Sequence, residues 1–178
     1  AKQQHVRIGA HPSYPDRDNM GRKAMAMSAK QLQQTILEQL TRLHNMASET
    51  SAIIRFVKPH GALYNQAARD LSLARQVADA VRIFDDSLAL VGLAGSQLLR
   101  AGQDAGLTTC AEAFVDRAYQ ADGSLLPRAR AGAVIVDTEL AMQQALHLVT
   151  RQRVHSHDGQ EIPIRADTLC IHGDTPQA

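Results

Sequence analysis

Apolar residues along this chain come in two rhythms, with polar clusters between them. Short runs rich in β-branched and aliphatic residues at 6–10, 52–57, 88–93, 107–114 and 168–171 read as strands, several of them buried on both faces. Longer stretches carry the i, i+3, i+4 spacing of amphipathic helices. Ser28 is placed to cap one from about Ala29 to Glu49, with Leu32, Ile36, Leu40, Leu43, Met46 and Ala47 as its apolar stripe. Asp70 starts a second, with Leu73, Val77, Ala80, Val81 and Phe84 turned inward. Ala94-Gly95-Ser96 leads into a third that Gly106 ends, and Thr138 opens a fourth reaching about Arg151. Between the last two helices lie an irregular segment, 118–131, and a short strand-like run, 133–136. His157-Asp158-Gly159-Gln160 has turn chemistry, so 152–166 reads as a small β-hairpin excursion.

Strands alternating with helices imply an α/β fold with parallel strands and right-handed crossovers. The polar motifs follow the strands. His11 and Asp16 come after the first, Lys58 and His60 after the second, Asp116 and Arg117 after the fourth, His172 and Asp174 after the fifth. All are carboxyl ends, the edge that a β/α barrel turns toward one mouth. An open doubly wound sheet would concentrate its ligands at one switch point. The pattern therefore favours an incomplete barrel, as a single domain over 1–178, and predicts that these groups meet in one cavity.

Composition narrows the choices. With 178 residues and 44% apolar content the chain can bury a real core. A net charge of +1 with scattered Lys and Arg argues against a nucleic-acid or polybasic membrane surface, and the absence of Trp removes stacking platforms. Cys110 and Cys170 lack CxxC spacing and read as reduced thiols, which favours the cytoplasm. No apolar run approaches the roughly 18 residues of a membrane span. The chain begins without Met and closes on Asp174-Thr175-Pro176, a cap and a first-turn Pro that announce a further helix, so both ends read as cut.

The densest chemistry is Val57-Lys58-Pro59-His60-Gly61-Ala62-Leu63-Tyr64-Asn65. Pro59 stops the strand, and a cation, an imidazole, a phenol and an amide gather at its end. A Lys leaving a buried strand calls for an anion. Each group also has a blander reading: a strand-end His is often hydrogen-bonded filler, and Asp116-Arg117 reads equally as an ion pair holding a loop. Gly92-Leu93-Ala94-Gly95-Ser96 lacks the lysine of a P-loop.

Taken together, IGAHPSYPD, GRK at 21–23, VKPHGALYN, EAFVDRAY followed by LLPR, and CIHGDTPQA resemble the LamB/YcsF lactam-utilisation family, in order and across nearly the whole chain. Met20, Lys23 and Val115 depart from its usual Phe, Arg and Ala. Family members also open with Asn-x-Asp-x-Gly-Glu and Asn-x-x-Cys-Gly-x-His-x-Gly-Asp type motifs, which this sequence lacks. The resemblance implies a distorted seven-stranded β/α barrel similar to glycoside hydrolases and deacetylases. It also implies ATP-dependent opening of 5-oxoproline to glutamate with two partner subunits, B and C.

A five-membered lactam is a resonance-stabilised amide, and phosphorylating its oxygen with ATP prepares the carbon for water. On this reading Lys58, Arg117 and Arg22 bind the substrate carboxylate and the phosphorylated oxygen. His60, with His11 or His172, serves as general base or holds a divalent metal, while Asp116 and Asp174 orient those imidazoles. Tyr64, Asn65, Glu112 and Arg128 complete the candidate substrate contacts, with His11. The rival expectations are a stand-alone metal-dependent deacetylase and a non-catalytic scaffold subunit. Open strand edges make a homo-oligomer a further one.

Overall fold

The computed structural model describes Gln4 and residues 6–173, and it divides them into two compact units. The first comprises residues up to Gly92 together with Ser96–Cys110; the second comprises Leu93–Gly95 and the residues from Ala111 onward.

In the first unit, β1 (Ile8–Ala10), β2 (Ile54–Val57) and β3 (Ala89–Leu93) are parallel neighbours in that order. Helix α1 (Ala29–Glu49) connects β1 to β2, while α2 (Gly61–Ala67) and α3 (Leu71–Phe84) connect β2 to β3. Helix α4 (Gln97–Asp104) follows. Helix α1 starts where the sequence places it because Ser28 and Gln31 form a reciprocal capping box. Asp70 accepts the Ser72 and Leu73 N–H groups and does the same for α3. Leu32, Ile36 and Leu40 of α1 and Val77 and Val81 of α3 are fully enclosed, and α1 packs on α3 and α3 on α4. Each such aliphatic side chain contributes about 1.5–3 kcal/mol by leaving water. Met46, expected on the inner stripe, is instead exposed.

Glycine matters where the strands touch. A Cβ on Gly9 would lie 2.0 Å from the Phe56 ring, so the Phe56 ring occupies the space a side chain at position 9 would need.

In the second unit, the end of β4 (Thr109–Phe114) runs parallel to β7 (Thr168–Cys170), with Phe114 opposite Cys170. Helix α5 (Thr138–Arg151), capped by Asp137, lies between them in the chain. It is followed by the expected hairpin, β5 (Arg153–His155) with β6 (Glu161–Pro163). Residues 133–136 are not a strand. Val134 makes one antiparallel bridge, to Arg117, and Val136 points to solvent, so the β-branched run lacks the ladder that would hold it extended. Among the described residues no helix is long and apolar enough to cross a membrane.

Candidate active site

Two groups of the expected residues assemble, one in each unit. In the first, Ala10 lies opposite Val57, so His11 and Lys58 leave their parallel strands side by side. The Lys58 N–H donates to Ala10 O at 2.9 Å, and His11 Nδ1 meets Lys58 O at 2.6 Å. The His60 N–H then donates to Pro12 O at 2.8 Å, and the Ala62 N–H to Gly21 O at 3.0 Å. The 11–23 loop is thereby stitched to the start of α2. Two left-handed glycines permit the approach: Gly61 has φ +58° and a Cβ on it would sit 2.5 Å from Gly21 O, while Gly21 has φ +67° and would strike Ser13.

This stitching aims the imidazoles. His60 Nδ1 lies 2.8 Å from His11 Nε2, and His60 Nε2 lies 3.0 Å from Met20 O. The rings meet edge to face at 4.7 Å between centroids. Lys58 Nζ sits 5.9 Å from the centroid of the buried Tyr64 ring, a cation–π distance. Asn65 bonds the Gly61 carbonyl of its own helix at 2.9 Å. Arg22 is exposed on the loop. Asp16 accepts the Asn19 amide at 2.8 Å and the Lys23 N–H at 3.2 Å, and these bonds hold its carboxyl below the usual range. Burial, and then the Asp70 carboxylate, push the Tyr14 hydroxyl up; it donates to Gln66 at 2.8 Å.

In the second unit, the register of β4 against β7 brings Asp116 and His172 together, each two residues beyond the paired Phe114 and Cys170. Asp116 is only 3% exposed, and its Oδ2 accepts both the His172 N–H and the His172 Nδ1–H at 2.9 Å. Burial pulls its pKa up, but the side-chain and backbone bonds from His172 outweigh this and leave it lowered. The His172 ring stacks on Phe114, centroids 5.5 Å apart. A carboxylate on Nδ1–H fixes the tautomer whose Nε2 carries a lone pair, the arrangement of an oriented general base.

Arg117 is buried and donates to Ala133 O at 3.0 Å and to Leu126 O at 2.7 Å, which fastens the irregular loop. Glu112 is buried within β4, and Arg128 is half-buried on that loop. Asp174 lies outside the described residues, as does the helix announced after it.

Two contributors escaped the sequence reading. The Met20 carbonyl holds His60, and nothing in the sequence marks a main-chain atom. Gln144 of α5 donates to Phe114 O at 2.8 Å and Arg117 O at 2.9 Å, clamping the strand end beside Asp116. Its signal was legible: a polar residue in step with Ala141 and Leu148 on the inner side of the helix.

The expected metal set does not fit as it stands. Every ring nitrogen of His11 and His60 already faces a protein atom at 2.6–3.0 Å. Among the described residues no group of three or more His, Cys, Asp or Glu is disposed to hold an ion.

Residues 1–178 match the model of the LamB/YcsF family. The chain belongs to that family. As a LamB/YcsF protein it is 48% identical over 174 residues to a protein of Haemophilus influenzae (strain PittEE) named as the A subunit of 5-oxoprolinase, covering 98% of this chain and 71% of that one. Its counterpart in strain PittGG is 47% identical over the same length. The crystal structure of a lactam utilization protein from Thermus thermophilus superposes with a TM-score of 0.91 at 42% identity, over 99% of this chain and 72% of that one. The α/β class is as the strand and helix pattern predicts, and this match fits the distorted β/α barrel implied by the family.

Proposed function

We propose that this LamB/YcsF chain is the A subunit of a 5-oxoprolinase and that it opens the ring of 5-oxoproline hydrolytically, with ATP as co-substrate and two partner subunits. The observation that carries the reading is the Asp116–His172 pair, an imidazole held in one tautomer by a buried carboxylate. Relatives that carry the 5-oxoprolinase name support the substrate.

Transfer of the terminal phosphoryl group of ATP to the lactam oxygen, with ADP leaving, makes the ring carbon electrophilic. Water then adds to that carbon while its proton passes to His172 Nε2, with Asp116 stabilising the resulting imidazolium. The carbon–nitrogen bond breaks as the same proton is returned to the departing nitrogen. The acyl phosphate so formed is hydrolysed by a second water, giving glutamate and phosphate. Arg117 acts as a positioning residue through its loop.

The test is His172→Gln in the full-length protein, assayed with its partners for ATP-dependent glutamate release. A loss of about 10²–10⁴-fold in turnover is expected for a missing general base. Wild-type turnover in the folded variant would remove His172 from the reaction.

A further inference from the structure

Gln152 alone joins helix α5 to strand β5, so the chain must double back within one residue. It does so in the left-handed region: Gln152 has φ +53°, and its N–H donates to the His147 carbonyl. Strand β5 therefore packs on the helix it has just left. Val154, fully enclosed, and the pairing of His155 with Glu161 fix its register. The exposed His155 ring is thereby placed 5.6 Å, centroid to centroid, from the half-buried His147 ring, at an interplanar angle of 52°.

That angle is neither stacked nor edge to face, so aromatic packing alone does not account for the pair. Unlike His11, His60 and His172, neither ring has a hydrogen-bond partner among the described residues. A neutral imidazole carries one bare nitrogen, so two such acceptors stand side by side on backbone that is already held.

We propose that His147 and His155 form a bis-imidazole site for a borderline transition-metal dication such as Zn²⁺ or Cu²⁺, which clamps the hairpin to α5. A metal–nitrogen bond of about 2.0–2.1 Å sets each ring centre about 3.2 Å from the ion, and two rings on one tetrahedral ion then have centres about 5.2 Å apart. The observed separation is slightly wider, and the torsion that swings an imidazole about its stem is soft enough to close the difference. Water supplies the remaining ligands, since among the described residues no third His, Cys, Asp or Glu is disposed to join. The nearest opposing charge is cancelled: Glu161, opposite His155, already pairs with Arg153 at 2.8 Å. Imidazole nitrogen favours Cu²⁺ and Zn²⁺, whereas Mg²⁺ seeks oxygen and keeps its water. The inference uses none of the groups assigned to ring opening and needs no turnover to test.

The experiment titrates the metal-free full chain with ZnCl₂ near neutral pH, reading the signals of ¹⁵N-labelled imidazoles and the Tm. One equivalent of Zn²⁺ is expected to shift the His147 and His155 signals together. Zn²⁺ at about 100 times its Kd is expected to raise Tm by roughly 5–11 °C, and Mg²⁺ at the same concentration to change neither readout. His155→Gln is expected to weaken Zn²⁺ binding about 10²-fold, because one imidazole is left without its chelating neighbour. His147→Gln should lose as much and the double variant no more, so that either single variant serves if the other does not fold. Wild-type affinity in a folded single variant would overturn the inference. So would unmoved His147 and His155 signals, a Zn²⁺ response confined to His11, His60 or His172, or an equal response to Mg²⁺.

Discussion

Replacing Asp116 with Asn isolates the feature on which the proposed chemistry rests. The carboxylate accepts two N–H groups of one residue, the main-chain and Nδ1 donors of His172, each at 2.9 Å. Asparagine places an NH2 group where Oδ1 lies 3.0 Å from Nδ1 and leaves the remaining oxygen uncharged, so the charge-assisted bonding of His172 is weakened. A hydrogen bond to a charged group is worth about 1.5–3 kcal/mol, and the site is buried enough that water does not replace it. For a chain of this size that corresponds to a fall in Tm of roughly 3–12 °C. If the main-chain N–H keeps the remaining oxygen, the new amide donates to Nδ1, and the imidazole must move its hydrogen to Nε2. The base is then blocked although the backbone is intact. Turnover in the complete enzyme is expected to fall about 10²–10⁴-fold. The assay pairs ATP-dependent glutamate formation with a ¹⁵N readout of the His172 tautomer. A variant that loses stability but keeps its rate, or that turns over normally with Nε2 protonated, would refute the reasoning.

Gly61→Ala is expected to destabilise the chain by about 1–3 kcal/mol, since the residue is left-handed and its Cβ would lie 2.5 Å from Gly21 O. Gly95→Ala shares the positive φ but meets nothing within 4 Å, and chemical denaturation should show the smaller loss there; equal losses would mean that the Gly21 contact is unimportant. Acid should erase the advantage of wild type over Asp116→Asn. The Asp116 pKa is lowered in the folded chain, so its contribution is complete above the unfolded value of about 3.9 and disappears as pH falls through the folded one. Urea midpoints of the two proteins between pH 7 and pH 2 are expected to converge at the acid end, and a constant gap would show that the ionised carboxylate is not its source.

The helices were legible where caps and periodicity agree. Ser28 and Asp70 mark the starts of α1 and α3, and the bounds of α1 and of the helix opened by Thr138 follow from sequence. Helix α2 was not, because its seven residues begin with Gly61 and carry Asn65 and Gln66 among few apolar positions, which reads as loop. The opposite error at 133–136 has the complementary cause: Val134-Ile135-Val136 has strand composition, but pairing partners are a property of the fold. For the site, position along the strands was readable and partnership was not. His11 and His60 are 49 residues apart and Asp116 and His172 are 56 apart, and only the parallel registers make neighbours of them. The burial of Arg117 and its bonds to Ala133 O and Leu126 O were not legible either, because a buried guanidinium and an exposed one are spelled alike.

Met20 is 64% exposed, and it is its carbonyl that reaches His60. That position can therefore be indifferent to the letter while remaining strict about the bend, since residue 20 has φ +52°. Any amino acid comfortable in that shape, asparagine foremost, preserves the acceptor; a β-branched one swings it away and alters the imidazole without touching it.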